Sequence, residues 1–158
     1  MEVPTLPRSV HAFAVIAVTL VAASHLAAKG PTVQLVITHG GLASPITVTD
    51  ASVLSDSNVF GDAFFGRIAN PGSIDPAWPR YVVSFFVELP AWMRQGVQKK
   101  YVVYYARHPR TGEGFVYLPA PNEEWYRLNT STILRNGLEG NWLHASESWS
   151  RAINARLP

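Results

Sequence analysis

The stretch Tyr81–Leu89, YVVSFFVEL, decides the fold. β-branched and aromatic residues fill it, and these suit a pleated, part-buried strand. At a period of two, Tyr81, Val83, Phe85, Val87 and Leu89 point one way. Val82, Ser84, Phe86 and Glu88 point the other way. Bulk on both faces predicts a central strand, and Pro90 ends it. Val97–Ala106 (VQKKYVVYYA) reads as the next strand and Phe115–Leu118 (FVYL) as the one after. The intervening loops are too short for a parallel crossover, which needs a dozen or more residues. Tyr81–Leu118 therefore reads as a three-stranded antiparallel meander.

Upstream, Thr32–Thr38 (TVQLVIT) and Ile46–Thr49 read as two strands, paired as a hairpin across His39–Pro45. Asp50 sits where a helix N-cap belongs, ahead of a helix of about two turns. Phe60, Phe64, Phe65 and Ile68 follow at roughly helical spacing. Asn70–Arg80, with three prolines, is a loop between the hairpin and the meander. Downstream, Trp125–Leu128 is expected to add a short edge strand, and Thr130 or Ser131 to cap a helical turn over Thr132–Arg135. A last helix runs from Glu147 to about Arg156, capped by Ser146, with Trp149, Ala152, Ile153 and Leu157 on its apolar face. The fold class expected is α+β: a mainly antiparallel sheet of about five strands, with short helices and a C-terminal helix packed on one face.

Before all this stands MEVPTLPRSVHAFAVIAVTLVAASHLAAKG. A weakly positive start, an apolar run from Ala12 to Ala23 broken only by Thr19, and small residues at Ala22, Ala23, Ser24, Ala27 and Ala28 read as a signal peptide over residues 1–28. Cleavage after Ser24 or after Ala28 fits equally well. The run is short of the roughly 20 apolar residues of a spanning helix, so an uncleaved anchor is the alternative rather than the first expectation. Residues 29–158 then form a single β-rich α+β domain, exported to a periplasm or to the extracellular space, with the leader lying outside it.

Composition narrows the function. The chain has no cysteine, which excludes disulfides, thiolate metal sites and a lipidated cysteine. A net charge of +2, without a basic stripe, argues against a nucleic-acid partner. No phosphate loop, dinucleotide fingerprint, G-x-S-x-G or S-x-x-K occurs, and no cofactor is implied. His39-Gly40-Gly41 reads as a hairpin turn rather than an oxyanion loop, because the serine that loop would serve is missing. His39, His108 and His144 show no ligand spacing.

The candidate binding residues are aromatic and cationic. Trp92 and Arg94 lie at the tip of the first meander hairpin, with Lys99 and Lys100 behind it. An aromatic beside cations suits an anionic partner or a membrane surface. Trp125 and Tyr126, with Tyr101, Tyr104, Tyr105 and Tyr117, form a second group able to stack on sugars or anchor a partner. Glu88, Glu113, Glu123 and Glu124, with Asp75 more remote, are the carboxylates from which a glycan hydrolase would have to be built. Asn129-Thr130-Ser131 matches a glycosylation sequon. The expectation is a non-enzymatic domain binding an envelope component or another protein. A small envelope hydrolase and a surface domain held at the membrane by its leader are the alternatives.

Overall fold

A computed structural model describes residues 30–93 and 95–158. The leader and Arg94 lie outside the described residues. Seven strands form one sheet: β1 (Thr32–His39), β2 (Ile46–Val48), β3 (Phe65–Ile68), β4 (Arg80–Glu88), β5 (Val97–Arg107), β6 (Gly114–Tyr117) and β7 (Trp142–Ala145). Their order is β2-β1-β4-β5-β6-β7-β3, and every neighbouring pair is antiparallel. Three helices accompany them: α1 (Ala51–Asp56), α2 (Tyr126–Thr132) and α3 (Glu147–Asn154).

The expected meander is β4-β5-β6, with β4 central as its two apolar faces require. The first hairpin joins the same sheet because β1 pairs with β4, Leu35 opposite Phe85 and Ile37 opposite Val83. Seven strands rather than about five arise at the far edge. Phe65–Ile68 is strand β3, not the helical insertion its spacing suggests, and it pairs with β7. Trp125–Leu128 goes the other way and forms the start of α2 instead of an edge strand. The helical turn expected over 132–135 begins earlier, so Thr130 lies inside α2 and its hydroxyl donates back to the Tyr126 carbonyl at 3.0 Å.

The main core lies between one sheet face and the layer of α1, α3 and the segment joining α1 to β3. The sheet supplies Leu35, Ile37, Val83, Phe85, Val87, Tyr101, Val103, Tyr105, Val116 and Leu143. Trp149 and Ile153 of α3 press onto them, fully buried, on the face that the helical period predicts. The Trp149 ring stacks against Phe85 at 6.3 Å and meets Tyr105 edge-on at 5.5 Å. Its Nε1 donates to the Ser57 hydroxyl at 2.9 Å, which itself donates to the Val53 carbonyl at 2.7 Å. A buried indole N–H needs such a partner.

Two expected caps work differently. The Asp50 carboxylate makes no cap to α1; it accepts from Arg156 at 2.6 Å and so ties the start of α1 to the end of α3. That guanidinium holds the Asp50 carboxyl below the usual carboxylate range. Ser146 occupies the N-cap position of α3 but makes no side-chain cap.

The second sheet face is covered only in part. The loop expected over Asn70–Arg80 folds across the β5–β6–β7 end, where Ala69, Ile74, Ala106 and Phe115 form a smaller cluster with Trp78 and Trp142. Helix α2 does a different task. Strand β6 pairs with β5 only from Tyr104 onward, which leaves the Lys100–Val102 edge of β5 bare. Asn129 accepts from the Val102 N–H at 2.8 Å and donates to the Val102 carbonyl at 2.7 Å, and Thr132 donates to the Lys100 carbonyl at 2.6 Å. A helix thus supplies the hydrogen bonds that a strand would have made, and blunts the edge. The Asn129 amide is thereby consumed and only 2% exposed, so the sequon is closed to a glycosylating enzyme once the chain has folded.

Arg135, just beyond α2, is buried at 7% exposure. Its guanidinium pairs with Asp62, donates to the Val59 carbonyl and the Tyr101 hydroxyl, and lies 4.7 Å from the Phe65 ring centre. It locks the segment before β3 to β5.

Candidate binding groove

What remains open on the second face is a groove of about 330 Å³ over β1, β4 and β5. Alternation along the strands decides its floor. Val36, Thr38, Val82, Ser84 and Phe86 are the residues left over when their neighbours enter the main core. Tyr104 continues the floor onto β5. Trp125, the last residue before α2, is the wall, and Lys99, Glu124 and His39 form the rim.

The wall is held from below. The Glu123 carboxylate accepts from the Ala120 N–H at 2.7 Å and from the Tyr117 hydroxyl at 3.1 Å, and this folds the 119–125 segment back over β6. Asn122 and Trp125 both take left-handed backbone conformations, with φ of 73° and 72°. His39, on the opposite rim, has φ of 66°, and its ring bonds the Thr38 hydroxyl at 2.9 Å. These are the three positive-φ residues other than glycine among the described residues. A non-glycine side chain in that region costs about 1–2 kcal/mol.

The electrostatics are mixed. The Lys99 ammonium lies 4.2 Å from the Trp125 ring centre, a cation–π contact at the mouth of the groove. Tyr104, Tyr117 and Trp142 continue the aromatic surface across β5, β6 and β7, at 6.1 Å and 5.2 Å between successive ring centres. The Arg80 guanidinium closes that row 4.5 Å above Trp142. Burial, and then the bond to Glu123, push the Tyr117 phenol up to about 12. Burial, with Glu124 and Glu123 beside it, also raises Tyr104. Both phenols therefore keep their protons at neutral pH; Tyr117 spends its own on Glu123, and Tyr104 lines the groove.

The sequence candidates separate into three places. Lys99 and Trp125 meet in the groove. Tyr126 begins α2, half-buried, and lines a separate cavity of about 740 Å³ formed by the 121–128 segment. Lys100 sits at the bulge of β5, where the register slips between the Phe85–Tyr101 and Phe86–Lys99 pairs, and is not part of the groove lining. Trp92 is 71% exposed on a 3-10 turn at the β4–β5 tip, beyond the strand ends. Arg94 falls outside the described residues. Tyr101 and Tyr105 are core residues of the other face. Sequence reasoning missed Phe86, Glu124 and His39 as groove residues. Their juxtaposition depends on the β1–β4 pairing and on the path of the 119–125 segment, neither of which leaves a local pattern.

The carboxylates do not converge on one cleft. Glu88 is exposed at the end of β4, Glu123 is spent on the loop, and Glu124 faces the groove. Glu113 bonds the His144 ring at 2.8 Å at the other end of the face. Among the described residues the Thr111 hydroxyl accepts from the Glu113 N–H at 3.3 Å, and no hydroxyl bonds either side chain of that pair. The His108 ring accepts from the Arg110 and Thr111 N–H groups, both at 3.2 Å, and so organises its own turn. No group of three histidine, cysteine or acidic residues is placed to hold a metal ion among the described residues. No family model, curated protein or solved structure matches this chain, so the groove is read from its own residues.

Proposed function

We propose that this is a non-enzymatic binding domain, exported to the cell envelope or beyond it, that takes its ligand in the groove over β1, β4 and β5. One observation carries the proposal. The strained, non-glycine backbone positions gather around this one opening: His39 and Trp125 line it and Asn122 shapes the segment that bears Trp125. Strain of this kind collects where a side chain must be held for a ligand rather than for the fold. A sheet face with an aromatic wall and floor, and one cation and one carboxylate at the rim, suits a compact ligand with a flat or CH-rich side and polar groups at its edge. An amino sugar or a short peptide has that chemistry. The leader supports export, and intact mass of protein recovered from the envelope tests it.

The groove is tested by titrating the labelled chain with amino-sugar oligomers and short peptides while following backbone amide resonances. Shifts are expected at Val36, Val82, Phe86 and Trp125, and Trp125→Ala should abolish them. Shifts centred instead on Glu113 and His144, with the probe consumed, would favour the hydrolase. Probes that move no groove resonance would remove the support for a ligand site here.

A further inference from the structure

We infer that the β4–β5 hairpin tip is the membrane-facing end of the domain, and that it rests on the lipid bilayer to which the uncleaved leader tethers the chain. This rests on the leader being retained as an anchor, the alternative to its cleavage as a signal peptide, and not on a ligand in the groove.

The first observation is where the chain enters the fold. The Pro31 carbonyl accepts from the Glu88 N–H at 3.0 Å, at the end of β4. Gly30 lies against the same place so closely that a Cβ there would stand 1.5 Å from the Glu88 carbonyl oxygen. Only glycine passes, and the entry point is fixed by backbone contact. Glu88 pairs with Val97 at the base of the hairpin, so the leader joins the domain beside the β4–β5 tip.

The second observation is what that tip displays. Four large apolar side chains are exposed among the described residues, and two of them, Trp92 at 71% and Val97 at 50%, are on this hairpin. Among the described residues of the tip, 89–93 and 95–97, none is acidic. A tryptophan exposed on a short turn suits the headgroup layer, where indole rings concentrate, with the exposed Glu88 carboxylate at the hairpin base.

The distances are compatible. Six residues, Ser24–Lys29, separate the end of the apolar run from Gly30, and at full extension they span only about 20 Å. A leader held in a bilayer therefore keeps the hairpin base close to the surface. The β5–β6 turn lies at the opposite end of β5. Ten residue steps from Val97 to Arg107 put it about 33 Å further out.

The absence of cysteine makes the test direct. The full chain is reconstituted into vesicles of phosphatidylcholine with phosphatidylglycerol, and an environment-sensitive fluorophore is attached to Gln95→Cys or to Arg110→Cys. With brominated acyl chains, the label at 95 should lose fluorescence and the label at 110 should keep it. Adding Trp92→Asp to the Gln95→Cys chain should restore its signal. Equal quenching at both positions, no quenching at 95 while the chain floats with the vesicles, or quenching at 95 that survives Trp92→Asp would each overturn the tip contact, and none of these bears on the groove. A full chain that does not float with vesicles would overturn the tether itself.

Discussion

Asn129 gives the most exacting test of the fold. Its amide fills both the donor and the acceptor of Val102, on the edge of β5 that faces away from β4 and that β6 does not reach. In Asn129→Ala both groups stay buried without partners, at about 1–3 kcal/mol each, so the loss should be about 2–6 kcal/mol. That is a large part of the roughly 5–15 kcal/mol that holds an ordinary domain. Asn129→Asp is more diagnostic. The carboxylate still accepts from the Val102 N–H, but its second oxygen now faces the Val102 carbonyl, a contact that tolerates only the protonated acid. The folded pKa of the new carboxyl is therefore raised above its unfolded value of about 3.9. The sign follows: the stability restored by protonation is fully present below about pH 4 and is lost as pH rises through the raised folded pKa. Urea unfolding of the native chain, Asn129→Ala and Asn129→Asp at pH 4 and pH 7.5 reads both effects. The Asp variant should approach the native chain at pH 4 and fall to the level of the Ala variant or below at pH 7.5. An Ala variant within about 0.5 kcal/mol of native, or an Asp variant whose deficit does not change with pH, would refute α2 as a surrogate strand.

Three further outcomes are expected. Arg135→Met keeps the stem packed but strands the Tyr101 hydroxyl and the Val59 carbonyl, while Asp62, itself 69% exposed, stays solvated; denaturant unfolding should show a loss of about 2–4 kcal/mol, and an unchanged midpoint would refute the clamp. Trp125→Gly relieves a left-handed backbone worth about 1 kcal/mol and gives up a cation–π contact of similar size; stability should shift by less than about 1 kcal/mol while probe-induced groove shifts vanish. Arg156→Gln should raise the Asp50 pKa toward the ordinary carboxylate range in a carboxyl NMR titration, because the depressed folded value comes first from the Arg156 bond. The contribution of Asp50 in the native chain is present above the unfolded pKa and fades as pH falls through the depressed folded one. An unmoved titration would mean that the ion pair does not persist in solution.

Periodicity was informative wherever one element buries one face. The alternation in Tyr81–Leu89 identified β4 and its two sides, and the 3.6-residue spacing of Trp149, Ile153 and Leu157 identified the helix that covers the core. It failed where neighbours decide. Phe65–Ile68 is a strand because β7 offers it an edge, and Tyr126–Thr132 is helical because Asn129 and Thr132 must reach β5. Asp50 and Ser146 hold the expected N-cap positions without capping, Thr130 and Ser131 fall inside α2, and Asp50 found in Arg156, 106 residues away, a better partner than its own helix.

Chain composition alone settled the absence of thiol chemistry, the weak overall charge and the β-rich class, since these depend on residue type and local spacing. Only the tertiary structure decided that Lys99 meets Trp125 while Trp92 stands apart, and that part of one sheet face stays open. Those outcomes depend on strand order, a one-residue bulge in β5 and the path of a loop. Each is set by which distant surfaces bury one another, a free-energy balance that no single segment contains.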